Sequence, residues 1–259
     1  MLALMRTVIF YLFFYGPFTI FWATFSGLVS LFLPRRWRYG FIILVWSYVV
    51  LWSARWVLGI RWQITGRENL PEDGSTVVIV ANHQSAWETF FLQVLINPQS
   101  QVIKRSLLKI PFFGWTYSLV RPIAINRLDK RSAIQELVEQ GRERLNSGNH
   151  VLIFPEGTRR PAGELGTFTR SAAILAKQAQ VNLLPVSHNA GKYWPKEFLS
   201  IKRPGVIEVE IFPQVSVGSR KTSEVMESIE VQMARRDCPG KGSEVITDIK
   251  RETIGFSVE

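Results

Sequence analysis

Residues 75–88, STVVIVANHQSAWE, join an uncharged run of β-branched residues to a peptide that carries histidine, amide, hydroxyl and carboxylate side chains. The run 75–81 predicts a buried β-strand, because valine and isoleucine favour strands and no charge interrupts them. The peptide 82–88 follows this strand directly and leads into a helix that we predict to extend to about residue 95. Ligands in α/β sheets bind beyond the carboxyl ends of strands, so this peptide lies where a functional site is expected.

The chain on either side of this stretch alternates between short apolar strands and amphipathic helices. Further strands are predicted at 61–65, 101–104, 121–125, 150–154, 182–187 and 206–212. Apolar spacing predicts helices at 132–145, 168–180 and 223–235. This alternation indicates an α/β fold whose sheet contains parallel strand pairs.

A second polar peptide, FPEGTR at 154–159, ends the predicted strand HVLIF in the same way. Gly157 permits backbone angles that bring main-chain N–H groups close to an anion. Arg159 can hold a phosphate through two parallel hydrogen bonds. A Pro-Gly turn with a solvated arginine explains the same residues without any ligand, and the spacing alone leaves both interpretations open.

His83 and Glu88 are the two side chains whose combination suggests catalysis. On a continuous helix, a spacing of five residues would separate them by roughly 140° around the axis, but a strand-to-helix turn removes that separation. A carboxylate that orients a histidine can make it a general base for a hydroxyl group. Alternatively, residues 85–88 form a capping box in which Glu88 only caps the helix, and His83 is a hydrogen-bonded histidine at a strand end.

The amino-terminal 60 residues are far more apolar than the rest of the chain. Residues 7–33 and 39–54 contain no charged side chain, and three arginines lie between the two runs. As helices these runs would be roughly 40 Å and 24 Å long, so only the first matches a hydrocarbon core of about 30 Å. We therefore predict that residues 1–60 form a two-helix hairpin that dips into one membrane leaflet, with its arginines at the headgroups. A cleaved signal peptide and a buried core hairpin are the alternatives.

The whole chain carries a formal net charge of +10 and contains a single cysteine, Cys238. One cysteine excludes an intramolecular disulfide framework and any multi-cysteine zinc or iron–sulfur site. The basic balance favours an anionic partner such as a membrane surface, an acidic carrier protein or nucleic acid. Because the basic residues are spread along the chain without a nucleic-acid-binding module, we expect no nucleic-acid partner. The sequence also lacks the nucleophile elbow, the P-loop and the dinucleotide-binding turn.

Four motifs resemble those of the lysophosphatidic acid acyltransferases, the bacterial PlsC-like 1-acylglycerol-3-phosphate acyltransferase family. Residues 82–88 are similar to its first motif, Asn-His-x-x-x-x-Asp, with glutamate in place of aspartate, and 154–159 match Phe-Pro-Glu-Gly-Thr-Arg at every position. The segment PIAINR resembles the second motif through Arg127, and LLPVS resembles the fourth through Pro185. The stretch KRSLLKIPFFGW, with Lys104 at its start, and the amino-terminal hairpin are also similar to the family.

The resemblance implies a glycerophospholipid-acyltransferase fold at 61–259, with a mixed sheet flanked by helices, attached to the membrane hairpin. It implies transfer of a fatty acyl group from acyl-carrier protein or coenzyme A to the sn-2 hydroxyl of lysophosphatidic acid in the membrane, giving phosphatidic acid. On this basis His83 takes the hydroxyl proton and Glu88 orients His83. The implied substrate-binding residues are Lys104, Arg127, Glu156, Gly157, Thr158 and Arg159.

Within this set, the resemblance implies that the cationic side chains hold the phosphate and that the Glu-Gly pair shapes the loop. It implies no metal and no bound cofactor, because the thioester is a co-substrate, and it places the domain on the cytoplasmic face of a bacterial inner membrane. Glutamate at the end of the first motif also resembles the lipid A secondary acyltransferases. The alternatives are therefore an acyltransferase for another lysophospholipid, glycerol 3-phosphate or a lipid A precursor, or a non-enzymatic lipid-binding adaptor.

Overall fold

The computed structural model describes residues 1–126 and 129–237. Its first two elements are the helices α1 (Leu2–Ser30) and α2 (Arg35–Leu58), which are joined by a short turn. Both helices are long and apolar enough to cross a membrane, by length and composition.

The two amino-terminal helices pack against each other as an antiparallel hairpin. The indole N–H of Trp22 on α1 donates to the carbonyl oxygen of Ile42 on α2 at 3.0 Å. The indole N–H of Trp46 donates to the hydroxyl of Thr19 at 3.1 Å. The predicted two-helix hairpin is therefore present in the structure.

The rest of the chain alternates between strands and helices, as the hydrophobic pattern predicts. In chain order these elements are β1 (Ile60–Thr65), β2 (Val77–Ala81), α3 (Trp87–Leu95), β3 (Gln99–Lys104), α4 (Phe113–Ser118), β4 (Ile123–Ile125), α5 (Lys130–Asn146), β5 (His150–Ile153), α6 (Ser171–Ala179), β6 (Asn182–His188), β7 (Gly205–Ile211) and α7 (Thr222–Asp237).

The strands form one seven-stranded sheet within the described residues, in the order β1-β7-β6-β2-β5-β3-β4. Every neighbouring pair is parallel except β6 and β7, which are antiparallel. The expectation of a mixed sheet with parallel pairs is confirmed. Because β2 lies between β5 and β6, its carboxyl end is flanked by two other carboxyl ends.

Apolar layers cover both faces of the sheet. Val77, Ile79 and Ala81 of β2 belong to a core cluster shared with α1, α2 and α3. Val78 and Val80 belong to a second cluster, shared with α5, α6 and α7. Burial on both faces explains why the sequence of β2 is uninterrupted by polar residues.

The hairpin shares a core with the sheet instead of standing apart from it. The ring of Phe10 in α1 meets Trp194 edge-on, with centroids 5.1 Å apart. Trp46 in α2 meets Phe90 of α3 in the same way at 4.9 Å. The boundary predicted near residue 60 falls between α2 and β1, but apolar packing continues across it.

Three features of the fold differ from the sequence pattern. The strand predicted at 121–125 is shorter, because Arg121 adopts a positive φ of 57° that a strand cannot accommodate. Helix α4 was not predicted, since its six residues are too few for a helical period to be recognised. In α1 a π-helical stretch, Phe10–Tyr15, precedes Pro17, where a widened turn can accommodate the missing N–H and the ring.

Candidate active site

The site lies where the carboxyl ends of β6, β2, β5 and β3 meet. These four strands are neighbours and mutually parallel. His83 follows β2, the loop 154–159 follows β5, and Lys104 and His188 end β3 and β6. The sheet order therefore brings the two polar peptides of the sequence to one edge.

His83 and Glu88 form a direct hydrogen bond, with Nδ1 and Oε1 2.8 Å apart. Glu88 is fully buried, and the same Oε1 atom also accepts the backbone N–H groups of Gln84 and Ser85. The carboxylate thus orients the imidazole and also caps the start of α3. The hydrogen bond to Nδ1 leaves Nε2 as the ring nitrogen available to a substrate.

The surroundings of the pair favour an ionised carboxylate and a fixed ring. Burial raises the pKa of Glu88, but the positive forms of His188 and His83 and the hydrogen bonds from His83 and the Ser85 N–H outweigh it, so the pKa lies below its ordinary value. The imidazole of His83 also stacks on the ring of Phe154, with centroids 4.0 Å apart and planes 16° from parallel. With 16% of its side chain exposed, His83 remains accessible from the cavity described below.

The loop 154–159 is tied to the His83 peptide through Glu156. One carboxylate oxygen of Glu156 accepts the His83 N–H at 2.8 Å, and the other accepts the Gly166 N–H at 2.9 Å. The Arg160 N–H donates to the His83 carbonyl oxygen at 2.7 Å. Glu156 therefore holds two loops together, and its oxygens are occupied by backbone donors.

Gly157 occupies a position that favours glycine, because its φ is +72°. Its own N–H donates to the Phe154 carbonyl oxygen at 3.1 Å and closes the turn. The tight turn leaves Thr158 and Arg159 at the surface of the cavity.

Glu156 should make the stability of the protein depend on pH. Burial raises its pKa to about 7, because the two N–H donors and Arg160 only partly replace lost hydration. A raised carboxyl pKa stabilises the fold below the unfolded value and loses that contribution as pH rises through about 7. At every pH, a Glu156→Gln variant lacks one of the two oxygens that accept the His83 and Gly166 N–H groups. Because glutamine does not ionise, the difference in stability between variant and parent should shift in the variant's favour as pH rises from 4.5 to 7, by about 3 kcal/mol at most.

Denaturant unfolding of both proteins in the same detergent, across this pH range, measures the difference. A parallel pH dependence in parent and variant would show that folding does not raise the pKa of Glu156.

A second tie at this edge joins Asn82 to His188 and was not predicted. The Asn82 amide donates to the His188 carbonyl oxygen at 2.8 Å, and the His188 N–H donates back to the Asn82 side chain at 3.0 Å. The His188 ring nitrogen Nε2 lies 2.9 Å from the Asn82 carbonyl oxygen. His188 directly follows the strand predicted at 182–187, and this position after a predicted strand was the available signal.

A cavity of about 790 Å³ opens in front of His83. Of the implied substrate-binding residues, Lys104, Gly157, Thr158 and Arg159 line it, whereas Glu156 does not. Arg127 lies outside the described residues. Lining residues that sequence analysis missed are Tyr15, Thr19 and Trp46 from the hairpin, Phe113 and Tyr117 from α4, Gln101 from β3 and Lys196 from the loop after β6.

The cavity is lined by both cationic and apolar side chains. Lys104, Arg159 and Lys196 supply cationic side chains, while Trp46, Phe90 and Phe113 supply apolar surface. Such a cavity suits a molecule that carries both an anionic group and a hydrocarbon chain. Within 1–126 and 129–237, no group of three or more potential ligand side chains could hold a metal ion.

Comparisons with known proteins show which families share this sequence and architecture. The sequence model of a family described as Acyltransferase matches residues 61–189. The chain is 47% identical over 208 residues to a 1-acyl-sn-glycerol-3-phosphate acyltransferase from Pseudomonas aeruginosa, which covers 80% of this chain and 79% of that protein. It is 31% identical over 170 residues to 1-acyl-sn-glycerol-3-phosphate acyltransferase alpha from Mus musculus, covering 65% of this chain and 59% of that one.

A solved structure shares the fold. The crystal structure of the 1-acyl-sn-glycerophosphate (LPA) acyltransferase, PlsC, from Thermotoga maritima aligns with a TM-score of 0.73 and 24% identity, over 91% of this chain and 95% of that one. The alignment extends beyond the Acyltransferase segment to most of the chain. Together with the high identity to the Pseudomonas protein, these matches show that the chain belongs to the 1-acyl-sn-glycerol-3-phosphate acyltransferase family.

Proposed function

We propose that the protein transfers a fatty acyl group from a thioester to the sn-2 hydroxyl of 1-acyl-sn-glycerol 3-phosphate, which gives phosphatidic acid. The observation that carries this proposal is the His83–Glu88 pair at a cavity with both cationic and apolar walls. The names of the Pseudomonas and mouse relatives support the same reaction.

The geometry gives each member of the pair a role. Glu88 accepts the Nδ1–H of His83, so Nε2 carries a lone pair and can take the proton of the sn-2 hydroxyl as its oxygen attacks the thioester carbonyl. The resulting imidazolium is stabilised by the buried carboxylate. The carbon–sulfur bond of the tetrahedral intermediate then breaks, and the sulfur takes the proton from Nε2 and leaves as a thiol.

The cationic residues of the cavity are proposed to hold the phosphate of the acceptor. Arg159 has the planar fork that binds phosphate through two hydrogen bonds, and Lys104 and Lys196 add positive charge to the same cavity. Gly157 and Glu156 act indirectly, since they shape and hold the loop that presents Arg159.

An Arg159→Ala variant should raise the KM for lysophosphatidic acid by roughly ten- to a hundredfold, because a charge-assisted hydrogen-bond pair to the phosphate is lost. The value of kcat should change little, since the side chain holds the substrate equally in the ground and transition states. Steady-state kinetics in mixed micelles measures both constants. The KM of Arg159→Lys should lie between those of the parent and Arg159→Ala. The matched control is Arg142→Ala, on the exposed side of α5. An unchanged KM in Arg159→Ala would contradict the phosphate role.

We further propose that the hairpin lies within one leaflet. The Thr7 hydroxyl accepts the Lys202 N–H at 2.9 Å, and the Thr116 hydroxyl donates to the Ala23 carbonyl oxygen at 2.6 Å. These contacts hold α1 along the α/β domain over roughly 24 Å. A helix held in this way cannot cross a bilayer while the domain remains in water, which supports insertion parallel to the surface.

The acyl donor is proposed to be acyl-carrier protein or coenzyme A, with the domain on the cytoplasmic face of a bacterial inner membrane. The net charge of +10 favours an acidic carrier, the phosphates of coenzyme A and an anionic leaflet alike. The reaction itself is tested with purified protein, 1-acylglycerol 3-phosphate in lipid and each labelled donor. Phosphatidic acid is the expected product. If an acylated product formed only with a different acceptor, the assignment of lysophosphatidic acid as the acceptor would be contradicted.

A further inference from the structure

A second apolar surface lies outside the hairpin, in the segment that follows β3. Ile110, Phe112 and Trp115, which we call the outer rim, have 44%, 50% and 58% of their surfaces exposed. Exposed aromatic residues that are close in sequence are unusual on a protein surrounded by water. The outer rim therefore has the character of a surface that contacts an apolar partner.

The outer rim is the external side of the wall of the catalytic cavity. Phe112 has φ 60° and ψ −61°, and the Phe113 N–H donates to the Pro111 carbonyl oxygen at 2.7 Å, which together define a strained γ-turn. Phe113 lines the cavity while its neighbour Phe112 is exposed. Tyr117 likewise lines the cavity from α4, whereas Trp115 is exposed. A single layer of chain thus separates the substrate cavity from the surface.

The outer rim continues the exposed apolar side of α1. Helix α4 packs against α1 so closely that a Cβ atom on Gly27 would lie 2.3 Å from the Thr116 hydroxyl oxygen. The adjoining turns of α1 expose Phe21, Phe25 and Leu28. The two surfaces are therefore held in one fixed arrangement.

Basic side chains border the outer rim. Lys104 and Lys109, both exposed, lie at the two ends of the short turn that precedes it. Aromatic residues next to lysines are typical of the boundary between hydrocarbon and anionic headgroups. Apolar side chains bordered by lysines match the hydrocarbon and headgroup layers of a lipid leaflet better than the surface of a protein partner.

We infer that the outer rim is embedded in the same leaflet as the hairpin, with Lys109 among the headgroup phosphates. The inference rests on the proposed function, because the acceptor of that reaction resides in the bilayer and must reach the cavity. With the outer rim in the leaflet, only the layer of chain that contains the γ-turn separates the leaflet from the cavity. The rim is then a lipid-contact surface of the catalytic domain itself, additional to the hairpin.

A single-site fluorescent label tests this placement. In a Cys238→Ser background, cysteine replaces Phe112 and carries an environment-sensitive dye, and phosphatidylcholine vesicles containing phosphatidylglycerol are added. We expect a blue shift and quenching by bromine-labelled lipid chains. Phe32→Cys in the hairpin is the positive control, and Glu224→Cys on α7, across the sheet, is the matched control in water.

A Phe112→Ser/Trp115→Ser variant provides an independent measurement. Its partitioning into these vesicles should fall by about tenfold or more, and its apparent KM for lysophosphatidic acid in vesicles should rise to match. Its kcat in mixed micelles should remain near that of the parent.

A dye at position 112 that stays in water while the dye at position 32 is quenched would overturn the inference. Unchanged partitioning of the double variant would overturn it as well. In either case, formation of phosphatidic acid by the parent protein would leave the proposed function intact, whereas its absence would count against the function alone.

Discussion

Replacing His83 with alanine is expected to lower kcat for phosphatidic acid formation by roughly a thousandfold. The imidazole is the proposed proton acceptor, and no other histidine of the described chain lines the cavity. The side chain is accessible, and its polar contact in the folded protein is with Glu88. The variant should therefore fold and bind vesicles as the parent does. Labelled-donor turnover under single-turnover conditions measures the loss.

His150→Gln is the matched control for this variant. His150 begins β5 at the opposite edge of the sheet, where its Nδ1 atom accepts the Val77 N–H. Glutamine removes the imidazole but retains an acceptor, so turnover should stay near that of the parent. If His83→Ala kept most of its activity, the proton transfer would have to be assigned to another group.

Replacing Glu88 with glutamine is expected to lower kcat by about a hundredfold and to leave the fold intact. All three hydrogen bonds converge on Oε1, and Oε2 has no partner in the described part of the chain. The two backbone N–H groups should hold the amide oxygen of glutamine at the position of Oε1, with its NH₂ group at the position of Oε2. His83 then keeps its orientation and tautomer, and the loss measures the missing charge beside the imidazolium.

Glu88→Asp separates the effect of the negative charge from the effect of the side-chain geometry. Aspartate keeps the charge but is one methylene shorter, so it cannot reach all three donors without a shift of the loop. We expect it to retain more activity than glutamine, and Glu88→Ala to retain less than either. A Glu88→Gln variant as active as the parent would show that the charge makes no contribution to the transition state.

Local sequence was sufficient to predict the strands and the two polar peptides. The pattern of β2, for example, depends on its own residues and on the absence of charge. The His83–Glu88 spacing also left both of its interpretations open. The structure shows that one atom makes both sets of contacts, since Oε1 accepts hydrogen bonds from the imidazole and from the N–H groups that precede the helix.

The sequence was less informative about residues whose partners lie far along the chain. Glu156 was grouped with substrate residues by its motif, but its carboxylate is occupied by the His83 and Gly166 N–H groups. Lys196 belongs to no motif and yet lines the cavity with Arg159. The contribution of Trp46 to the same cavity depends on how the hairpin packs against α3.

By itself, the sequence determined the α/β alternation, the apolar hairpin, the family and the two peptides that carry His83, Glu88 and Arg159. Only the tertiary structure decided that β2 lies between β5 and β6, that Glu156 ties two loops together and that the hairpin forms one wall of the cavity. The physical reason is the separation along the chain between the residues that interact. Hydrophobic period, turn formation and motif spacing are properties of neighbouring residues, whereas strand order and side-chain contacts arise from burial shared between distant parts of the chain.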